Sequence, residues 1–269
     1  MFSLRTLITV LAVAALGSAS SIGRSLNPAP EDIAHATPRE HISARSMPAT
    51  NARRFALGLP PLAPRRTRVR APRAQPSAVA PTQTSCNIAV MSSNGTFGFI
   101  NATWNGFGEY GLFQAEQAGS LEVTISSSGT TASELDLTAT NSPDGTYPYF
   151  GALLGLASTS SDFGPASYAY LGGITQTPAG SPPLSTGDSS FTAATGTSAV
   201  IESAIWRYDP ATQSISAQWI NTDGSAPATH IVYVGDSNQA LIITGSVESV
   251  QNVFGSPYPE VTFMCVPPL

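Results

Sequence analysis

The sequence predicts an all-β fold: an antiparallel sandwich or barrel-like domain with one short C-terminal helix, preceded by a disordered arm. Three observations carry this expectation. From Cys86 onward, Val, Ile, Thr, Tyr, Phe and Trp recur in short runs bounded by Gly, Pro, Asn, Asp and Ser, the signature of strands joined by turns. Only Val247–Phe254 combines apolar residues at helical spacing with both end signals. Before residue 85, neither the helical nor the strand period is sustained.

The first 19 residues read as a secretory signal peptide. Arg5 gives a short positive segment, Leu7–Leu16 an apolar run, and Gly17, Ser18, Ala19 and Ser20 the small residues that signal peptidase accepts. Ten residues fall short of the ~20 needed to cross a bilayer. No later run is longer, and PEVTFMCVPPL is too short for a lipid-anchor signal. The expectation is a secreted, extracellular protein with no membrane anchor.

Residues 20–84 form the arm, rich in proline and arginine. Ten prolines and ten arginines fall between Ser20 and Pro81, and such a segment cannot bury enough apolar surface to offset the entropy of ordering. The pairs Arg53–Arg54 and Arg65–Arg66 are what a subtilisin-like processing protease reads, and the prolines between them favour an extended, accessible chain. The arm is therefore a candidate propeptide.

Residues 85–269 form a single acidic β domain. All twelve basic residues are arginine, and from Cys86 to Leu269 only Arg207 remains against fourteen carboxylates, 1 − 14 = −13. Such a body repels nucleic acid, which is gripped through phosphate neutralisation. Its two cysteines, Cys86 and Cys265, stand near its ends. In an oxidising compartment they are expected to pair and tie the first strand to the last.

The strands are expected in order. Cys86–Met91 and Phe97–Thr103 flank the hairpin signal Ser93-Asn94-Gly95-Thr96. Leu121–Ser126, Ser133–Ala139, Tyr149–Ala157, Ser167–Thr175 and Val200–Tyr208 follow, then Gln213–Ile220, Thr229–Val234, Gln239–Thr244 and Val261–Cys265. Asp209-Pro210-Ala211-Thr212 fits a type I turn, which would pair Tyr208 with Gln213 and put both Trp206 and Trp219 on the core face. The helix Val247–Phe254 has Ser246 as cap and Gly255 as stop.

The tract Arg54–Arg66 (RFALGLPPLAPRR), with WNGFGEYG at Trp104–Gly111, TQTPAGSP at Thr175–Pro182 and IWRYDPATQSISAQWINTDGS at Ile205–Ser225, resembles a family of uncharacterised secreted proteins from mushroom-forming (basidiomycete) fungi. The likeness covers nearly the whole chain. It implies secretion and a shared β fold, and carries over no catalytic or binding residue.

Chemistry is thinly signalled. Asn94-Gly95-Thr96 and Asn101-Ala102-Thr103 are N-glycosylation sequons, Asn94 the better placed in its turn. Trp104, Asn105, Glu109 and Tyr110 combine rings with an amide and a carboxylate among glycines, the ingredients of a sugar site; the competing expectation is that these rings are core. His230 is the body's one histidine, and its strand position points to a hydrogen-bonded structural role. Gly187-Asp188-Ser189 and Gly235-Asp236-Ser237 lack the nucleophile-elbow spacing. No catalytic residue is assigned, no cofactor is expected, and metal-ligand spacing is lacking. The leading functional expectation is a non-catalytic extracellular or cell-wall carbohydrate-binding module, its partner a glycan or wall polymer. The alternatives are a secreted carboxylate-based glycoside hydrolase and a structural surface protein.

Overall fold

The computed structural model describes Leu26 and residues 82–127, 132–158, 160–164, 167–236 and 238–269. The expected signal peptide, residues 1–19, and the arginines expected to mark processing, Arg53, Arg54, Arg65 and Arg66, lie outside the described residues. The first half runs β1 (Thr82–Ser92), β2 (Gly95–Ile100), β3 (Phe113–Gln114), β4 (Glu122–Ser127), β5 (Ala132–Leu135), β6 (Leu137–Ala139), β7 (Tyr149–Leu154) and β8 (Tyr168–Ile174). The second runs α1 (Ser190–Thr195), β9 (Ile201–Glu202), β10 (Trp206–Asp209), β11 (Ser214–Ala217), β12 (His230–Val234), β13 (Ala240–Thr244), α2 (Val247–Phe254) and β14 (Glu260–Val266).

Eight strands close an antiparallel ring in the order β1-β4-β6-β7-β8-β13-β12-β14, with β14 returning to β1. The closing seam pairs Ile88 with Cys265 and Val90 with Phe263. Cys86 and Cys265 are joined across it as a disulfide, Cα atoms 5.3 Å apart. The sequence left sandwich and barrel open; pairing of the first strand with the last makes it a barrel and removes two sheet edges. The body starts at Thr82 rather than residue 85, because Thr82, Gln83 and Thr84 pair with Ser127, Ser126 and Ile125 of β4.

Strand alternation sorts side chains into two cores. Ile88, Val123, Phe150, Leu171, Leu241 and Phe263 fill the barrel. Tyr168, Tyr170, Val232 and Ile242 point outward and are covered by Phe191 of α1 and by Val250 and Phe254 of α2. Helix α2 has the expected limits: Ser246 accepts from Ser249 N, and Gly255 ends it at φ +71°. The sequence reading missed α1, six residues with Phe191 as its one large apolar side chain.

Two expected strands are each broken in two. Ser133–Ala139 divides at Asp136, where β5 pairs with β10 while β6 pairs with β4 and β7. Val200–Tyr208 divides after Glu202, since β9 pairs with β7 and β10 with β11. In both, the chain leaves the barrel wall for a side layer, β5-β10-β11, attached through β14. The β10–β11 hairpin has the expected buried face, but Tyr208 pairs with Ile215 and Trp206 with Ala217, two positions from the predicted register. Gln213 takes φ +59° after the turn; this fourth loop residue shifts the pairing by two and preserves each side chain's face. Trp206 stacks inside the barrel, whereas Trp219 lies on Phe163 at 4.7 Å and 12°.

Candidate functional site

The Trp104–Gly111 loop is a wedge. Tyr110 N donates to Leu171 O (2.8 Å) and Leu241 N donates to Tyr110 O (2.8 Å), so the loop inserts between β8 and β13. A side chain at Gly108, whose φ is +78°, would strike Ser190 O, and one at Gly111 would strike Ala240; the backbone approach needs glycine at both.

The four expected ligand contacts come together but face inward. Tyr110 and Glu109 are fully buried. Tyr110 packs edge-on against Phe150 (5.2 Å) and Trp104 (6.1 Å), and half-buried Trp104 also meets Tyr147 at 6.3 Å. Asn105 is the hub. Its Nδ2 reaches Glu109 Oε2 (2.9 Å), Asn238 O (2.6 Å) and Gln239 O (3.0 Å), while Oδ1 accepts from Phe107 N (2.9 Å) and Glu109 N (3.1 Å). The placement of Trp104, Asn105, Glu109 and Tyr110 as an open sugar platform is thus corrected. Asn105 pins the β12–β13 turn from beneath, because its amide meets the Glu109 carboxylate and the carbonyls of Asn238 and Gln239 before any ligand.

The pinned turn borders a cluster of half-buried rings that sequence reasoning passed over. Phe97 of β2, Phe113 of β3 and Tyr233 of β12 lie at 5.4, 5.2 and 4.8 Å pairwise, tilted by 44°, 61° and 53°. Tyr233 occupies the inward face near the end of β12, so the rings line one mouth of the barrel. Gln239 hydrogen-bonds the Tyr233 hydroxyl, a pull against the upward push of burial on its pKa. The available signal was Tyr233 alternating against Val232 and Val234; β3 is too short to announce itself.

A second cluster sits where both strands leave the wall. Ser203 Oγ donates to Asp136 Oδ1 (2.6 Å), Gln176 Nε2 donates to Asp136 Oδ2 (2.7 Å), and Thr177 N donates to Ser203 Oγ (2.9 Å). Neighbouring Glu202 is 1% exposed. Its Oε2 accepts from Ile220 N (3.2 Å), and its Oε1 meets no hydrogen-bond partner among the described residues. Burial, with the charge of Glu134 adding to it, pushes its pKa to about 8 against the pull of the Ile220 bond. Glu202 therefore holds its proton at neutral pH.

Other expected residues resolve plainly. His230 Nδ1 meets Glu260 Oε1 at 2.7 Å on the barrel surface, the structural strand histidine anticipated. Arg207 is exposed, and no ion pair to it is found among the described residues. Ser189 caps α1, accepting from Thr192 N at 3.1 Å, and Asp236 Oδ2 accepts from Tyr258 Oη at 2.8 Å. Asn94 is exposed at the β1–β2 turn; Asn101 is half-buried, its Oδ1 accepting from Thr103 N and Oγ1 at 2.9 and 2.8 Å. Among the described residues no group of His, Cys, Asp and Glu is gathered for a metal, and no helix is long and apolar enough to cross a membrane.

The fold is an eight-stranded antiparallel barrel with extra strands. A scan of protein-family models, a search of curated proteins and a search of solved structures each found no match to this chain.

Proposed function

We propose that the chain is a secreted, non-catalytic carbohydrate-binding domain of the fungal cell exterior, and that its ligand site is the cup formed by Phe97, Phe113 and Tyr233. The observation that carries this reading is the trio of half-buried rings beside the Gln239 amide. Aromatic faces take the polarised C–H groups of a sugar ring, and an amide and a phenol take its hydroxyls. The mutual tilts of the three rings exclude a flat aromatic strip of the kind that suits a crystalline surface, so the ligand in this reading is a soluble or terminal glycan. Secretion is supported by the leader, the arginine-rich arm, the disulfide and exposed Asn94 as a glycan acceptor. The resemblance to basidiomycete secreted proteins belongs to the same proposal.

The test is retention on fungal wall polysaccharides and a glycan array by the secreted protein. Phe113→Ala and Tyr233→Ala should each weaken retention about two- to tenfold, the loss of one stacking contact worth roughly 0.5–1.5 kcal/mol, in protein that still unfolds cooperatively. Retention on no sugar, or retention indifferent to both changes, overturns the reading.

Glu202 favours a second reading, a carboxylate-based hydrolase in which it supplies the proton and Glu134 or Asp136 the base. Turnover on a polysaccharide panel that disappears in Glu202→Gln would establish it; absence of turnover excludes it.

A further inference from the structure

One residue of the arm is seated in the barrel's outer core. Leu26 is fully buried in the cluster that holds Tyr168, Tyr170, Phe254 and Tyr258. Its backbone is gripped as firmly as its side chain. Tyr170 Oη donates to Leu26 O, Tyr168 Oη lies 3.5 Å from the same oxygen and 3.3 Å from Tyr170 Oη, and the Leu26 backbone also hydrogen-bonds Tyr258. Tyr168 is itself anchored, its hydroxyl accepting from Ala157 N at 3.1 Å and its ring edge-on to Phe254 at 5.6 Å. Tyr258 is fixed through Asp236. Three phenols set by the barrel thus converge on one backbone unit, and the aliphatic side chain beside it fills an apolar recess. That combination recognises a peptide: the phenols read main chain, and the recess reads a leucine-sized side chain.

We propose that this tyrosine-walled recess is a peptide-binding site, occupied in cis by Leu26, and that it keeps the start of the arm on the barrel after the arm is cut. Leu26 lies seven residues beyond Ala19 and well before the arginine pairs at 53–54 and 65–66. A cut at either pair leaves it on the released piece. The mature protein is then two chains held by this site, and the expectation of a disordered arm does not extend to Leu26.

The test needs no knowledge of the natural protease. Lysine is absent, and Arg207 is the one arginine beyond Arg73. In the full-length chain carrying Arg207→Gln, trypsin therefore cuts only ahead of the barrel, after Arg5 and at the arginines of the arm. After native digestion and gel filtration, the fragment containing Leu26 is expected to co-elute with the barrel in equal amount, while the Phe55–Arg65 fragment elutes free. Leu26→Asp should lower the retained fragment at least tenfold. A synthetic Ser21–Glu31 peptide should displace it, and the same peptide bearing Leu26→Asp should not. Elution of the Leu26 fragment with the free peptides, or equal retention and displacement with aspartate at 26, overturns the proposal.

Discussion

Phe150 and Trp206 lie face to face, ring centroids 4.9 Å apart and 11° from parallel, and the indole Nε1 donates to the Phe150 carbonyl. Phe150 belongs to the barrel wall and Trp206 to the side layer, so this contact locks one to the other. Trp206→Ala should cost about 3–5 kcal/mol through lost burial and a cavity, and Trp206→Phe less. Urea denaturation gives the difference through the midpoint at unchanged slope.

Stability should fall as pH rises through the neutral range because of Glu202. Its folded pKa of about 8 lies above the unfolded value of 4.5, so between those values the folded state binds the extra proton. Below about pH 4 the group is protonated in both states and costs nothing. The penalty grows above pH 4.5, is on the order of 3 kcal/mol at pH 7, and stops growing above pH 8. Glu202→Gln should flatten this slope in melts recorded from pH 4 to 8; an equal slope in both proteins would refute the assignment.

Asn105→Ala removes the partner of two carbonyls, two backbone N–H groups and a carboxylate oxygen at once. A loss of about 2–4 kcal/mol is expected, with faster hydrogen exchange across residues 235–239. Asn105→Asp should be worse, since it turns an acceptor toward Glu109 and both turn carbonyls, and the defect should deepen as pH rises above the carboxylate range.

Replacing Cys86 and Cys265 together by alanine should lower stability by up to about 5 kcal/mol, the chain-entropy value for a cross-link spanning 179 residues. Calorimetry checks this, and a thiol assay on unfolded, unreduced parent protein should find no free cysteine.

Much of the fold was legible because it depends on local pattern. Helix α2 could be read to the residue from Ser246, Val250, Phe254 and Gly255, whose signals all agree. The buried face of β10–β11 was readable from alternation, but its register was not, since the left-handed Gln213 leaves no compositional mark. The breaks at Asp136 and Glu202 were hidden because leaving the wall is a choice of pairing partner; the low β propensity of Asp136 and of Glu202-Ser203-Ala204 does not say which strand each half joins. The candidate site was half legible. The Trp104–Gly111 cluster was found by composition, yet composition does not say that Asn105 spends its amide on the Asn238 and Gln239 carbonyls. Phe97 and Phe113 meet through the β2–β3 pairing, but Tyr233 comes from a strand far along the chain, and only the tertiary fold brings it to them.

Closure has a consequence for biosynthesis. The stave that completes the ring is the last to be made: β1 waits beside an open edge until residues 260–266 have emerged from the ribosome and turned back across almost the entire body. No partial chain can enclose Phe150 or Phe263, so folding should be late and concerted rather than progressive. A chain truncated before Glu260 should remain open, with β1 offering the unpaired edge on which such intermediates associate. The protein's vulnerable interval is therefore the time between the first strand's appearance and the last strand's arrival.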